Sequence, residues 1–96
     1  MLNNILKDVS VVKTIGSTSV VTVDSLKIDS RTVQTGDAFI AIRGTLTDGH
    51  KYIKSCIEKG ARVIICEVMP EEIDTTVTYI QVANSAKALG LLASNF

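Results

Sequence analysis

Residues 38–66 read "AFIAIRGTLTDGHKYIKSCIEKGARVIIC", and the fold is decided there. The two ends of the stretch, 38–42 (AFIAI) and 62–66 (RVIIC), are almost free of polar residues. Apolar runs of this length suit strands covered on both faces. Between them, Asp48 stands where it can cap a helix. Ile53, Cys56 and Ile57 fall on one helical face, and Gly60 supplies a stop. Strand, helix and strand at this spacing make a βαβ unit.

Further elements extend in both directions. Leu2, Ile5, Leu6 and Val9 recur at helical spacing and predict a short amphipathic helix. Residues 11–15 and 20–23 are β-branched runs parted by Gly16-Ser17, which predicts two short strands and a turn. Residues 26–30 form a weaker extended candidate. Towards the other end, Pro70 and Glu71-Glu72 mark a loop, and 77–82 (VTYIQV) reads as a strand. Asn84 then caps a last helix with Leu89, Leu92, Ala93 and Phe96 on one face. The aromatic residues Phe39, Tyr52, Tyr79 and Phe96 are expected to pack into the core. The fold class expected is α/β: a small, mostly parallel or mixed sheet with flanking helices, containing the βαβ unit. Residues 1–96 form a single domain. The last helix has no Gly or Pro terminator, which suggests a cut through a longer protein.

Composition narrows the function. Ten basic and ten acidic residues cancel, and no charge run stands out. Nucleic acid and anionic membrane are poor partners for such a chain. No apolar run approaches the roughly 18 residues of a membrane span. Cys56 and Cys66 each lie in an apolar pattern with no metal-site spacing, as expected for free, buried thiols in a reducing cytoplasm.

Ligands of open α/β sheets bind outside the carboxyl ends of the strands. The strand 38–42 runs straight into Arg43-Gly44-Thr45-Leu46-Thr47-Asp48-Gly49. Two glycines let backbone approach a ligand, two hydroxyls donate and accept, and a helix start follows. The loop suits a polar or phosphorylated ligand, although it is neither a Walker A nor a G-x-G-x-x-G sequence. Asp29-Ser30-Arg31 lies on the other side of the same strand. Two readings stand for it. Ser30 and Arg31 address a heterocycle and a phosphate or carboxylate, or Asp29 and Arg31 tie down a turn. His50 reads as a surface or helix-start residue, with no partner assigned for catalysis. Glu67, Glu71, Glu72 and Asp74 read as a solvated acidic loop, with a metal site as the alternative.

"IDSRTVQTGDAFIAIRGTLTDGHKYI" followed by "GARVIICE" resembles the N-terminal domain of the Mur ligases of peptidoglycan synthesis. That family's pattern runs DSR, a gap, GD, an apolar strand, G-x-x-x-DGH, a helix, GA and a second strand. The tail "VTYIQVANSAKALGLLASNF" is similar to the segment leading into the central ATP-binding domain of one branch. That branch adds the third residue, diaminopimelate or lysine, to UDP-N-acetylmuramoyl-L-alanyl-D-glutamate. The resemblance implies a domain that anchors the UDP end of the UDP-N-acetylmuramoyl dipeptide. The uridine contacts it implies fall on Ile28 and Ser30 and on Thr45, Leu46 and Thr47, with Asp29, Arg31, Gly44 and Asp48 in support. It implies no catalytic residue and no metal ligand here. ATP and Mg2+ belong to the full-length enzyme, and the central and C-terminal domains are further partners. It also implies a cytoplasmic protein, expected as a monomer. The phosphate-binding GK[ST] is absent from these 96 residues, so the chain alone is expected to be inactive. The sister branch, which adds D-alanyl-D-alanine, and a stand-alone nucleotide-sugar module remain as alternatives, as does a structural domain that binds a protein partner.

Overall fold

The computed structural model describes residues 2–18, 21–43 and 48–96. Five strands form one sheet: β1 (Val11–Ile15), β2 (Leu26–Lys27), β3 (Ala38–Ile40), β4 (Val63–Cys66) and β5 (Thr78–Val82). Their order is β1-β5-β4-β3-β2. The pairs β2–β3, β3–β4 and β4–β5 are parallel, and β1 lies antiparallel against β5 at the far edge. Helices α1 (Leu2–Ile5) and α3 (Ser85–Asn95) cover one face, and α2 (Ile53–Glu58) covers the other.

The sequence alternation explains the two layers. Ala38, Ile40, Val63, Ile65, Ile80 and Val82 pack with Leu2, Ile5, Ala88 and Leu92. Their neighbours Phe39, Ala41, Ile64, Cys66 and Tyr79 pack with Ile53, Cys56 and Ala61. Successive strand residues point to opposite faces, so a strand roofed on both sides must be apolar throughout. The parallel β3–α2–β4 unit is therefore the one the sequence predicts. Cys56 and Cys66 are free and fully buried, and burial pushes both thiols up to about 11. Thiols held that far from ionisation are packing groups, not nucleophiles.

Gly60 fits its place closely. Its φ of +107 ends α2, and an added Cβ would stand 2.8 Å from the Thr35 Cα. The neighbouring corner closes on it, with the Gly36 N–H donating to the Gly60 carbonyl at 3.0 Å.

Several expectations need correction. Residues 21–23 form no strand. β1 pairs with β5, so no hairpin is built there. Val21 and Val23 instead bury against the α1–α3 layer, which satisfies their apolar character without a ladder. The extended stretch 26–30 stops after Lys27, because the Asp29 side chain accepts the Arg31 backbone N–H and turns the chain into a 3-10 helix, Ser30–Thr32. The helix after Asp48 begins as a 3-10 turn, Gly49–Tyr52, before α2. In α3 the buried residues are Ser85, Ala88 and Leu92, with Leu89 half-buried. Ala93 is exposed, and Phe96 is 58% exposed instead of packing in the core. Ser85, Ala88 and Leu92 face the sheet, whereas Phe96 is the cap residue just past the end of the helix.

Candidate functional site

All four parallel strands deliver their carboxyl ends to one edge, and an open cleft of ≈ 640 Å³ lies there. Four segments line it. Ile28, Asp29, Ser30 and Arg31 follow β2, and Ile42 follows β3. Gly49 and Tyr52 come from the turn into α2, and Ala86 and Leu89 come from the start of α3. Asp29, Ser30 and Arg31 precede β3 by several residues, yet they share an edge with the end of β3. The cause is the parallel β2–β3 pair, which places both carboxyl ends side by side. The sequence reading of one strand holding both segments at its two ends is corrected in that respect.

The first wall is a tightly bonded turn. Asp29 Oδ1 accepts the Arg31 backbone N–H at 2.9 Å and Arg31 Nε at 3.0 Å, and Oδ2 accepts the second guanidinium nitrogen at 2.8 Å. The Arg31 side chain bonded to it holds the Asp29 carboxyl down at about 2, and the backbone N–H adds to this. From across the cleft base, Lys59 donates to the Ser30 carbonyl at 2.7 Å. The local-turn reading of Asp29 and Arg31 is thus present in the structure. It leaves the Arg31 side chain 86% exposed and Ile28 56% exposed at the cleft.

The second wall is built on Gly49. Its N–H donates to the Ile42 carbonyl at 2.9 Å, and an added Cβ would stand 2.9 Å from the Ile42 nitrogen. Only glycine brings the turn this close to the end of β3. Asp48 caps the turn by accepting the His50 N–H at 3.0 Å. Its carboxyl is lowered chiefly by that backbone bond and then by the His50 ring. Asp48 also forms an isolated bridge with Arg43. Gly44, Thr45, Leu46 and Thr47, named as ligand contacts from the sequence, lie outside the described residues.

His50 stands at the helix start, one of the two places expected for it, and not on the open surface. Its side chain is 13% exposed, with Nδ1 2.6 Å from Asp48 Oδ1. Nε2 accepts the backbone N–H of Glu67 at 2.9 Å and of Val68 at 3.3 Å. A nitrogen accepting N–H bonds carries no proton, so Nδ1 is the donor to Asp48. The ring bridges the turn after β3 to the loop after β4.

The acidic residues 67–74 do not gather. Glu67 Oε2 accepts the Ser85 backbone N–H at 2.8 Å and its hydroxyl at 2.9 Å, bonds that lower the carboxyl. Asp74 instead accepts the Thr76 N–H and hydroxyl. Among the described residues no group of three or more His, Cys, Asp or Glu could hold a metal ion. Nor is any described helix long and apolar enough to cross a membrane.

Sequence reasoning found the wall at 28–31 and missed Tyr52, Ala86 and Leu89. Tyr52 packs against the core as expected, but it is only half-buried and also lines the cleft. Ala86 and Leu89 reach it only because α3 starts at the same edge, which follows from strand order and not from any local pattern.

Comparison with known proteins bears on the family and the fold. A model of the Mur ligase family, catalytic domain, matches residues 22–96. Over its whole length the chain is 46% identical to the UDP-N-acetylmuramoyl-L-alanyl-D-glutamate--2,6-diaminopimelate ligase of Bacteroides thetaiotaomicron, and it covers 20% of that protein. The ligase of the same name from Clostridium tetani is 45% identical over 76 residues, which are 77% of this chain and 16% of the relative. Among solved structures, the UDP-N-acetylmuramoylalanyl-D-glutamyl-2,6-diaminopimelate--D-alanyl-D-alanyl ligase of Acinetobacter baumannii matches with a TM-score of 0.68 and 29% identity. That match covers 82% of this chain and 17% of the other. The MurF ligase of Thermotoga maritima in complex with ADP matches with a TM-score of 0.65 and 30% identity, over 80% of this chain and 17% of that one. The chain thus spans about a fifth of the length of the B. thetaiotaomicron relative. With the family model running from Thr22 to Phe96 and the same α/β layers in solved members, the chain belongs to the Mur ligase family.

Proposed function

We propose that these residues anchor the UDP end of UDP-N-acetylmuramoyl-L-alanyl-D-glutamate. The parent would be the cytoplasmic, ATP-dependent ligase that adds the third peptide residue in peptidoglycan synthesis. The observation that carries this reading is the convergence of 28–31 and Gly49 on one cleft at the carboxyl edge. Exposed Ile28 and half-buried Tyr52 offer apolar surface to a planar base. The Ser30 hydroxyl and local backbone groups offer donors and acceptors, which discriminate because a wrong base leaves them unpaired. Arg31 spends part of its guanidinium on Asp29 and keeps outer N–H groups for a phosphate. Thr45, Leu46 and Thr47 would contribute further contacts.

ATP and Mg2+ would activate the substrate carboxylate in the full enzyme. The residues here do not fit that role, since the chain has no GK[ST] sequence. The chain alone therefore anchors and does not catalyse. The D-alanyl-D-alanine-adding branch is the second reading. It is favoured by the solved neighbours but at 29–30% identity, against 42–46% for relatives named as the diaminopimelate ligase.

The test is a titration of UDP and of the UDP-muramoyl dipeptide into the labelled chain, followed by backbone amide shifts. Shifts should concentrate at 28–31, Ile42, Gly49 and the 44–48 loop. No response at millimolar ligand, or shifts centred on 70–74, would overturn the proposal.

A further inference from the structure

Glu67 touches none of the cleft, yet it is bonded to the immediate neighbours of three of its wall residues. The register opposes Cys66 to Gln81, so Glu67 is the first residue beyond the β4–β5 ladder. Gln81 Nε2 donates to the Glu67 carbonyl at 2.9 Å and fixes its backbone. The Glu67 N–H donates to His50, next to the wall residue Gly49. One carboxylate oxygen accepts both donors of Ser85, which is 1% exposed and next to the wall residue Ala86. The other lies 3.4 Å from Arg43 Nε, next to the wall residue Ile42. Arg43 is in turn shared with Asp48, at 4.0 Å, and stays 55% exposed.

We infer that Glu67 is a positioning residue of the cleft. Its carboxylate couples the residues that bracket the 44–47 loop to the first turn of α3, and so fixes how far apart those walls stand. The inference rests on the proposed uridine-diphosphate site. A ligand would meet walls already set in place by Glu67, so less of its binding energy would go into ordering them. The wall at 28–31 is outside this arrangement, its Ser30 carbonyl being held by Lys59.

Glu67→Gln and Glu67→Ala separate the two arms of the carboxylate. Glutamine keeps an oxygen for Ser85 and loses the charge that faces Arg43. Without ligand, Glu67→Gln should move the amide signals of Arg43 and Asp48 and leave Ala86 in place. Glu67→Ala should move all three, and both variants should leave 28–31 unmoved. UDP affinity should fall about tenfold in Glu67→Ala, the scale of one charged hydrogen-bond partner, and less in Glu67→Gln. If Glu67→Ala does not fold, Glu67→Gln still carries the test through Arg43 and Asp48. Unmoved Arg43 and Asp48 signals in Glu67→Gln, or UDP binding unchanged in either folded variant, would overturn the inference. Failure of the unsubstituted chain to bind UDP would instead sink the functional reading, and the ligand-free shifts would then decide the positioning role by themselves.

Discussion

Asp29-Ser30-Arg31 and Asp48-Gly49-His50 are the same backbone device used twice. Each follows a parallel strand, and each opens a 3-10 helix with an aspartate whose side chain accepts the N–H two residues on. The cap dihedrals nearly coincide, φ −102 and ψ 115 at Asp29 against φ −99 and ψ 118 at Asp48. Both aspartates also bind the side chain at the third position. The outcomes diverge there, with Arg31 standing in solvent and His50 partly buried against the loop that follows β4. Strand order supplies the reason. β2 is an edge strand with nothing beyond it, whereas β3 has β4 beside it. Local sequence sets the turn, and sheet position decides whether the third residue faces solvent or a neighbour.

The middle residue breaks the comparison most sharply. Gly49→Ala drives a Cβ into the backbone at the end of β3, which cannot swing aside as a flexible side chain would. We expect a loss of about 2–3 kcal/mol, in the range of overpacked cores, read by urea denaturation. Ser30→Ala, at the equivalent position of the other turn, should change stability by under about 0.5 kcal/mol, because the Ser30 carbonyl and not its hydroxyl is bonded to Lys59. Equal losses in the two variants would show that the turns are not distinguished by their approach to β3.

The third position comes next. His50→Ala removes the acceptor of the Glu67 and Val68 N–H groups and leaves them partly shielded from water. A cost of about 1–2 kcal/mol is expected. His50→Asn tests the cause, since its shorter side chain can bond Asp48 but not span to the β4 loop. It should behave like alanine. Arg31→Ala should lower the melting temperature only slightly, its ion pair with Asp29 being screened by solvent, while UDP affinity falls.

How much of this was legible in the sequence follows from the range of each interaction. Asp48 as a cap and Gly60 as a stop depend on groups a few residues away, and both appear as read. The apolar runs at 38–42 and 62–66 specify burial on both faces, which nearly specifies parallel neighbours. Residues 20–23 carried the same β-branched signal, yet 21–23 found side-chain burial without a partner strand. Composition reports burial there and not pairing. Glu67 looked like part of an acidic loop because its partner Ser85 is 18 residues away. The same distance hid the role of His50, whose partners lie 17 and 18 residues on. The wall from α3, Ala86 and Leu89, therefore needed the strand order, while 28–31 and the turn at Gly49 were readable as local motifs.

The smallest effect sharpens the comparison furthest, because it separates two causes acting on similar carboxylates. Asp29 is lowered first by the Arg31 side chain and second by the Arg31 backbone N–H. For Asp48 the order is reversed, with the His50 backbone N–H ahead of its ring. Alanine at the third position removes a side chain and keeps the N–H. Arg31→Ala should thus raise the Asp29 titration well above about 2 towards its ordinary 3.8, whereas His50→Ala should move Asp48 by less. A folded-state value below the unfolded one stabilises the fold at pH above 3.8, and that contribution is lost as pH falls towards 2. Arg31→Ala should accordingly flatten the pH dependence between those limits, with the lost contribution felt above pH 3.8, reduced there by solvent screening, and none of it felt below about 2. Side-chain carboxyl 13C shifts measured from pH 1.5 to about 6, across the usual carboxylate range, would read both titrations. A larger shift at Asp48 than at Asp29 would mean that the buried ring, and not the backbone, governs the inner turn, and the two turns would differ in mechanism as well as in surroundings.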